Sequence, residues 1–451
     1  MSWKKILALA LLLAVLFLAI AYVDRRAKGK PAVEGTLPGM PADAVARIEL
    51  RNPDGRFVFS RKDGLWFMEE PLAAKADKVA LESILDDFCA LKYDRLVAEN
   101  ARELKDFGLD APEIELKFFA AGAGRPGADI LLGMKNGLDG SSYAKLAAGS
   151  KVVAIAAYKR DDLEKGLFAF RDKKILELDV MAVSALDCRS GDRSLALAKK
   201  DGRWFLEKPV YSLAQEAKVS DLLAAASILE ALSFIAAPDA AARRGFGLET
   251  PLLTAEFRSA GAARRITVGK KGERFYAWVD GASEICEIGK DFPDKFSGDA
   301  ALFREKKVAR FYAFDVRELA FQRGPFRFSV RKNAAGAWEF SEPATGRKPS
   351  AEKIERLLSA LADCEAAEFI DKPRGLPGFT ARADLKVEDP ADPEKLGSVT
   401  MEFAEAAGDS LIARNPSLPY DFKIGRELLG KLPGRIDDIA EDVPAAAAAG
   451  K

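Results

Sequence analysis

Hydrophobic and polar positions alternate in short runs along most of this chain and break into helical spacing at three places. Arg47-Ile48-Glu49-Leu50 alternates, Asn52-Pro53-Asp54-Gly55 turns, and Arg56-Phe57-Val58-Phe59 alternates again, which predicts strand, turn, strand. Asp63-Gly64 then turns into a strand carrying Trp66, which Pro71 ends. Leu81, Ile84, Leu85 and Phe88 follow at i, i+3, i+4, i+7, as do Val219, Leu222, Leu223 and Ala226, and Ile354, Leu357, Leu358 and Leu361. Each set predicts a helix with one apolar stripe, and the meander before it offers the face that stripe needs to cover.

The same signals recur as a unit. Gly64-x-Trp66 with Pro71, Gly202-x-Trp204 with Pro209, and Gly336-x-Trp338 with Pro343 are spaced by 138 and then 134 residues. The chain reads as a tandem array of three α+β copies, each a mainly antiparallel sheet covered by an amphipathic helix, with the tryptophan anchoring sheet to helix. Phe107-Gly108-Leu109-Asp110-Ala111-Pro112 is matched by Phe246-Gly247-Leu248-Glu249-Thr250-Pro251, the form of a left-handed helix cap followed by a stop. Copies one and two close with Phe170-Arg171-Asp172-Lys173-Lys174-Ile175 and Phe303-Arg304-Glu305-Lys306-Lys307-Val308. The third copy is degenerate: Gly375-Leu376-Pro377 only loosely echoes the cap, and the basic closing motif is missing.

Residues 6–23 are 18 successive apolar residues after Lys4 and Lys5. As a helix they span about 27 Å, close to the hydrocarbon thickness of a bilayer. The reading is an uncleaved transmembrane signal anchor over 1–23; cleavage after Ala19-Ile20-Ala21 is the alternative. The expected order is then a linker over 24–42, repeat domains over 43–178, 179–314 and 315–436, and a flexible tail over 437–451 that includes Ala445 to Ala449. Arg25, Arg26, Lys28 and Lys30 weaken the charge asymmetry, but a short inside tail with the bulk of the chain periplasmic is the favoured topology at the cell inner membrane.

Composition narrows the chemistry. Lys+Arg and Asp+Glu both total 69, so no net field favours nucleic acid. The count of histidines is 0, which removes serine and cysteine catalysis through imidazole and the common imidazole metal sites. Cys89, Cys188, Cys286 and Cys364 form no C-x-x-C pair and read as buried thiols rather than a metal or redox site.

Several spellings imitate sites. Gly122-Ala123-Gly124-Arg125-Pro126-Gly127 matches G-x-G-x-x-G, but a strand pattern follows where a nucleotide fingerprint needs a helix. Ser329 and Lys332 share one alternating strand, where an offset of three puts them on opposite faces. Glu69, Glu70 and Glu342 before the prolines have Glu207-Lys208 as their counterpart in copy two, so a solvated turn is expected instead of an acid pair. The run Arg171-Asp172-Lys173-Lys174 is expected to be a linker or exposed strand end. No catalytic, cofactor-binding or metal-binding residue is assigned, and the chain is read as not an enzyme.

Together, the anchor, the Asp-Gly-x-Trp turn with its proline, the amphipathic helix, the Phe-Gly-Leu-Asp/Glu-x-Pro motif and the Phe-Arg-Asp/Glu-Lys-Lys end resemble an uncharacterised bacterial "domain of unknown function" family. Its members are membrane-anchored repeat proteins associated with gliding-motility-type ABC transporters. The likeness covers residues 43–308 well and 315–435 weakly. The resemblance implies an auxiliary extracytoplasmic component of a transport or surface-assembly system, with transporter subunits or other envelope proteins as partners, and carries over no catalytic residue. The expected function is therefore an interaction or scaffold protein; the alternatives are a cell-envelope glycan-binding module and, less favoured, an envelope hydrolase.

Overall fold

The computed structural model describes residues 35–37, 39–296, 299–343, 346–373, 378–389, 392–406 and 408–442. The apolar run 6–23, the Gly375-Leu376-Pro377 echo and the alanine tract lie outside them. Among the described residues no helix is long and apolar enough to cross a membrane. The chain divides into two compact units between Lys173 and Lys174.

The first unit is built on a nine-stranded antiparallel sheet. Its meander runs Val45–Asn52, Gly55–Lys62 and Leu65–Glu70, and Ile114–Ala120 returns to pair with Val45–Asn52 on its other edge. Ile48 faces Phe59 and Leu50 faces Phe57 across the first hairpin, and these four are buried on the helix side. The helix Lys78–Phe88 presents Leu81, Ile84, Leu85 and Phe88 to that face, with Trp66 in the same core. Its N-cap is Asp77, whose side chain accepts from Ala80 N at 2.9 Å and so satisfies an otherwise unpaired backbone donor.

The second unit contains two further sheets, of nine and eight strands, with the same order of pairing. Leu186 faces Leu197 and Leu319 faces Val330 in the register Ile48 and Phe59 have in the first sheet. Helices Glu216–Ser227 and Ala351–Ala362 cover the two sheets with the stripes that begin at Val219 and Ile354. The expected α+β architecture of helix-covered antiparallel sheets is thus present three times. In copies one and two the turn before the tryptophan strand is left-handed at both residues, with φ of 51° and 79° at Asp63 and Gly64 and 49° and 77° at Asp201 and Gly202. The peptide bonds before Pro71, Pro209 and Pro343 are cis in all three copies.

Each sheet is entered through the same clip. Leu37 N donates to Leu91 O, Ile175 N to Leu229 O and Val308 N to Cys364 O, at 2.9, 3.0 and 3.0 Å. Residues 35–37 and 39–42 therefore contribute to the first copy although their composition reads as spacer. Gly35–Thr36 pairs with Lys92–Tyr93, and Leu37 and Met40 are buried in the core. A similar correction applies at the other end. Ile439 and Ala440, in the stretch read as the start of a tail, are buried, and Ala440 bridges to Pro349.

Candidate functional site

The closing motifs are where the structure departs most from the expectation of an exposed basic run. Arg171 and Arg304 are buried. Each copy brings its closing segment back beside the chain that enters its helix: Asp77 N donates to Phe170 O, Gln215 N to Phe303 O and Ser350 N to Ile439 O. The return bonds are equally matched, from Asp172 N to Lys75 O, Glu305 N to Leu213 O and Glu441 N to Lys348 O. Phe170, Phe303 and Ile439 thus hold one structural position, and Arg171, Arg304 and Ala440 the next. A buried guanidinium needs a counter-charge, which alternating charge in this run does not reveal.

In the second unit the answer comes from copy three. Arg304 donates through both terminal nitrogens to Asp371, at 2.5 and 3.2 Å. Its guanidinium carbon lies 3.8 Å from the centroid of Phe369 and 5.2 Å from that of Tyr420. Tyr420 closes the other side: its hydroxyl accepts from Leu213 N at 3.0 Å, and the Ser212 hydroxyl lies 3.4 Å away. Burial holds the Tyr420 phenol above the usual range despite hydrogen bonds to Leu213 and Ser212 that act the other way. Ala366 N donates to Lys306 O at 2.8 Å. Copies two and three are joined by a planar cation stacked on aromatic rings and chelated by a carboxylate, a geometry guanidinium suits and ammonium does not.

The sequence motifs singled out for chemistry fall as follows. Gly122 to Gly127 form the turn between Ile114–Ala120 and Ala128–Lys135, and Gly127 N closes it on Phe118 O. Ser329 lines an open groove on the outer face of its strand, whereas Lys332 sits over the Trp338 ring on the other. Glu70 pairs with Arg56 at 2.8 Å and Glu69 with Lys62 at 3.9 Å, so the two acids point to different cations. Trp66, Trp204 and Trp338 are 3%, 6% and 7% exposed, inside the cores. The four thiols are buried, and burial raises Cys89 to about 11 and Cys364 to about 12. Gly108 and Gly247 take φ of 65° and 73°. A Cβ on Gly133 or Gly269 would stand 2.0 or 2.2 Å from the carbonyl of Phe107 or Phe246, so the cap packs against a glycine whose role no local pattern announces.

One further feature lies on copy three. The outer face of its sheet holds a trough of ≈ 450 Å³ running across the strands over Ala320, Ser329, Asp384 and Thr400. At its floor Arg382 donates to both oxygens of Asp384, at 2.7 and 2.9 Å, and the Thr400 hydroxyl donates to the same carboxylate at 2.7 Å. Burial opposes ionisation of Asp384, but the Arg382 and Thr400 hydrogen bonds outweigh it and hold the carboxyl below its usual range. It is a fixed anion.

The chain was compared with known proteins. No curated protein matches. Among solved structures, the DNA polymerase III subunit beta of Pseudomonas aeruginosa is similar at 8% identity over 85% of this chain and 92% of that one, with a TM-score of 0.14. A griselimycin-bound sliding clamp from the same organism is similar at 9% identity over 87% and 99%, with a TM-score of 0.13. Likeness of that size carries no argument. The family model described as "Domain of unknown function (DUF4340)" matches twice, over residues 66–244 and 204–393. The two matches begin on Trp66 and Trp204, one repeat apart, and together they extend into the third copy; the chain belongs to the DUF4340 family.

Proposed function

We propose that the chain is a membrane-anchored extracytoplasmic interaction or scaffold protein, an auxiliary component of an ABC-type transport or surface-assembly system. The observation that supports this reading is the joint at Arg304. A scaffold must hold separate faces at fixed spacing, and burying a chelated guanidinium between two copies suits that purpose. The three helix-covered sheets repeat a structure but no polar constellation. Outer faces are cross-linked by ion pairs such as Arg51–Glu115 and Arg265–Glu256, the pattern of solvated surfaces. The anchor is the apolar run 6–23, and the transporter association comes from the family resemblance.

Affinity isolation of the full chain from detergent-solubilised membranes at native expression is expected to recover transporter subunits or other envelope proteins, and recovery of the chain alone overturns the partner assignment. Protease added to intact spheroplasts is expected to remove the residues beyond the anchor. An untouched C-terminal part would reverse the topology.

A further inference from the structure

The three sheets share one strand register, and one outward row can be compared position by position. Across the strands that row reads Glu70, Val58, Glu49, Lys117 and Asp129 in copy one. It reads Lys208, Ala196, Asp187, Glu256 and Arg265 in copy two. In copy three it reads Glu342, Ser329, Ala320, Asp384 and Thr400. Copies one and two place an acid at the centre and cover it with cations: Glu49 pairs with Arg47 at 2.7 Å and Arg56 at 3.5 Å, and Asp187 pairs with Arg258. Copy three has Ala320 there, exposed on a central strand. The ≈ 450 Å³ trough crosses the row over Ala320, and a second hollow of ≈ 220 Å³ continues it past Arg327 and Gln322.

The rim is equipped for hydrogen bonding, and its acid Glu318 is not committed to an ion pair with the cations beside it. Glu318 lies in register between Arg331 and Lys386, yet among the described residues no ion pair joins it to either. Lys386 instead donates to the Ser398 hydroxyl at 2.8 Å. The hairpin carrying both, Ala381–Asp389 with Asp392–Glu405, is longer than its copy-two counterpart, Leu253–Ser259 with Ala262–Lys271. Arg317 grips its extension through Glu388, at 2.7 Å from Nη2 to Oε2. The trough so formed has hydroxyls at Ser329, Ser341 and Ser398, the acids Asp384 and Glu318, and the cations Arg331 and Lys386 along the same walls.

That mixture selects among occupants. Its charges of both signs balance, so a strongly charged polymer gains little from it. A protein anchor needs an apolar or aromatic pocket, and Phe321 and Phe328, whose backbones edge the trough, are buried on the opposite face. Sugar hydroxyls both donate and accept, and neighbouring pairs of them match a surface where carboxylate, guanidinium and hydroxyl alternate. The volume lies within the range of about 300–1,000 Å³ typical of small-ligand sites. We propose that the outer face of the third sheet is a binding site for an uncharged, polyhydroxylated glycan segment. This goes beyond the scaffold reading and does not depend on it.

The test is isothermal titration of the full chain in detergent micelles with maltohexaose, cellohexaose and chitohexaose. At least one is expected to bind, and Ala320→Glu, which restores the acid both other copies carry, is expected to weaken that binding at least about tenfold. Arg331→Ala, at an exposed rim position, provides a second variant expected to weaken binding without touching the fold. Glu49→Ala, at the matching position of copy one, is expected to leave binding unchanged. Failure of all three sugars to bind, wild-type affinity in Ala320→Glu, or equal competition by poly-glutamate overturns the proposal. None of these outcomes bears on recovery of transporter subunits.

Discussion

The closing segments of copies two and three follow the same backbone path to different ends. Gln215 N to Phe303 O and Ser350 N to Ile439 O measure 2.7 and 2.8 Å, and the return bonds to Leu213 O and Lys348 O are both 2.9 Å. At the next position, copy two extends Arg304 into copy three, whereas copy three has Ala440, fully buried. The segment therefore has two separable jobs. Its backbone completes the copy it belongs to, and its arginine grips the copy that follows. A copy with alanine at that position keeps the first job without the second.

The strongest way to break this comparison is to unfold copy three and watch copy two. Trp338→Ala removes a buried indole and is expected to cost about 3–5 kcal/mol. Because the joint couples the two sheets, Cys188 in the core of copy two should become reactive to thiol reagents along with the loss of copy three. Unchanged Cys188 protection in a chain whose third copy has melted would mean that the joint transmits no stability.

A smaller effect is expected from the joint itself. Asp371→Ala leaves the Arg304 guanidinium buried with only ring faces to answer it. Since Asp371 is itself 42% exposed, about 2 kcal/mol is expected rather than the full cost of stripping a wholly buried pair. Denaturant unfolding of the second unit measures it, and a change within about 0.5 kcal/mol would reduce the clamp to a surface contact.

Acid sharpens the contrast between copies at another point of the same segment. Burial raises the Asp77 carboxyl, but hydrogen bonds from Ala80 N and Lys173 outweigh it, so its folded pKa lies below the usual value. A depressed folded pKa contributes stability that is present above the unfolded value and lost as pH falls through the folded one. The equivalent helix-entry residues are Gln215 and Ser350, which do not titrate. Asp77→Asn is therefore expected to lessen the acid sensitivity of the first unit below about pH 4, near the unfolded carboxylate value, with no change in the second. An unaltered acid profile would remove Asp77 from the account.

The smallest effect concerns Cys364, whose carbonyl accepts from Val308 N at the joint. Burial raises its thiol to about 12, with Glu365 and Glu427 adding to the rise. At pH 8 its alkylation should be much slower than in unfolded chain, and Arg304→Ala should accelerate it several-fold by loosening the joint. Equal rates with and without Arg304 would show that the clamp does not restrain that segment.

How much of this was legible in the sequence depended on the range of each interaction. The helices were readable because Leu81, Ile84, Leu85 and Phe88 and their counterparts follow a local period, and the tryptophan turns because Asp63-Gly64 and Asp201-Gly202 need left-handed backbone. Burial of the indoles followed from their position opposite those stripes. The fate of Arg171 and Arg304 was not readable. A charged run looks solvated until the aromatic and carboxylate partners, 65 or more residues further along in the case of Phe369, Asp371 and Tyr420, are folded against it. Gly133 and Gly269 were silent for the same reason: the carbonyl that forbids a side chain there comes from another segment.

The sequence alone settled the repeat, its α+β character and the apolar stripe of each helix, because period, turn chemistry and capping act within a few residues. Only the tertiary structure decided which charges are buried, where copy two grips copy three, and that a trough lies over Ala320. Those outcomes depend on which side chains distant strands bring together, and register across strands is a property of the folded chain.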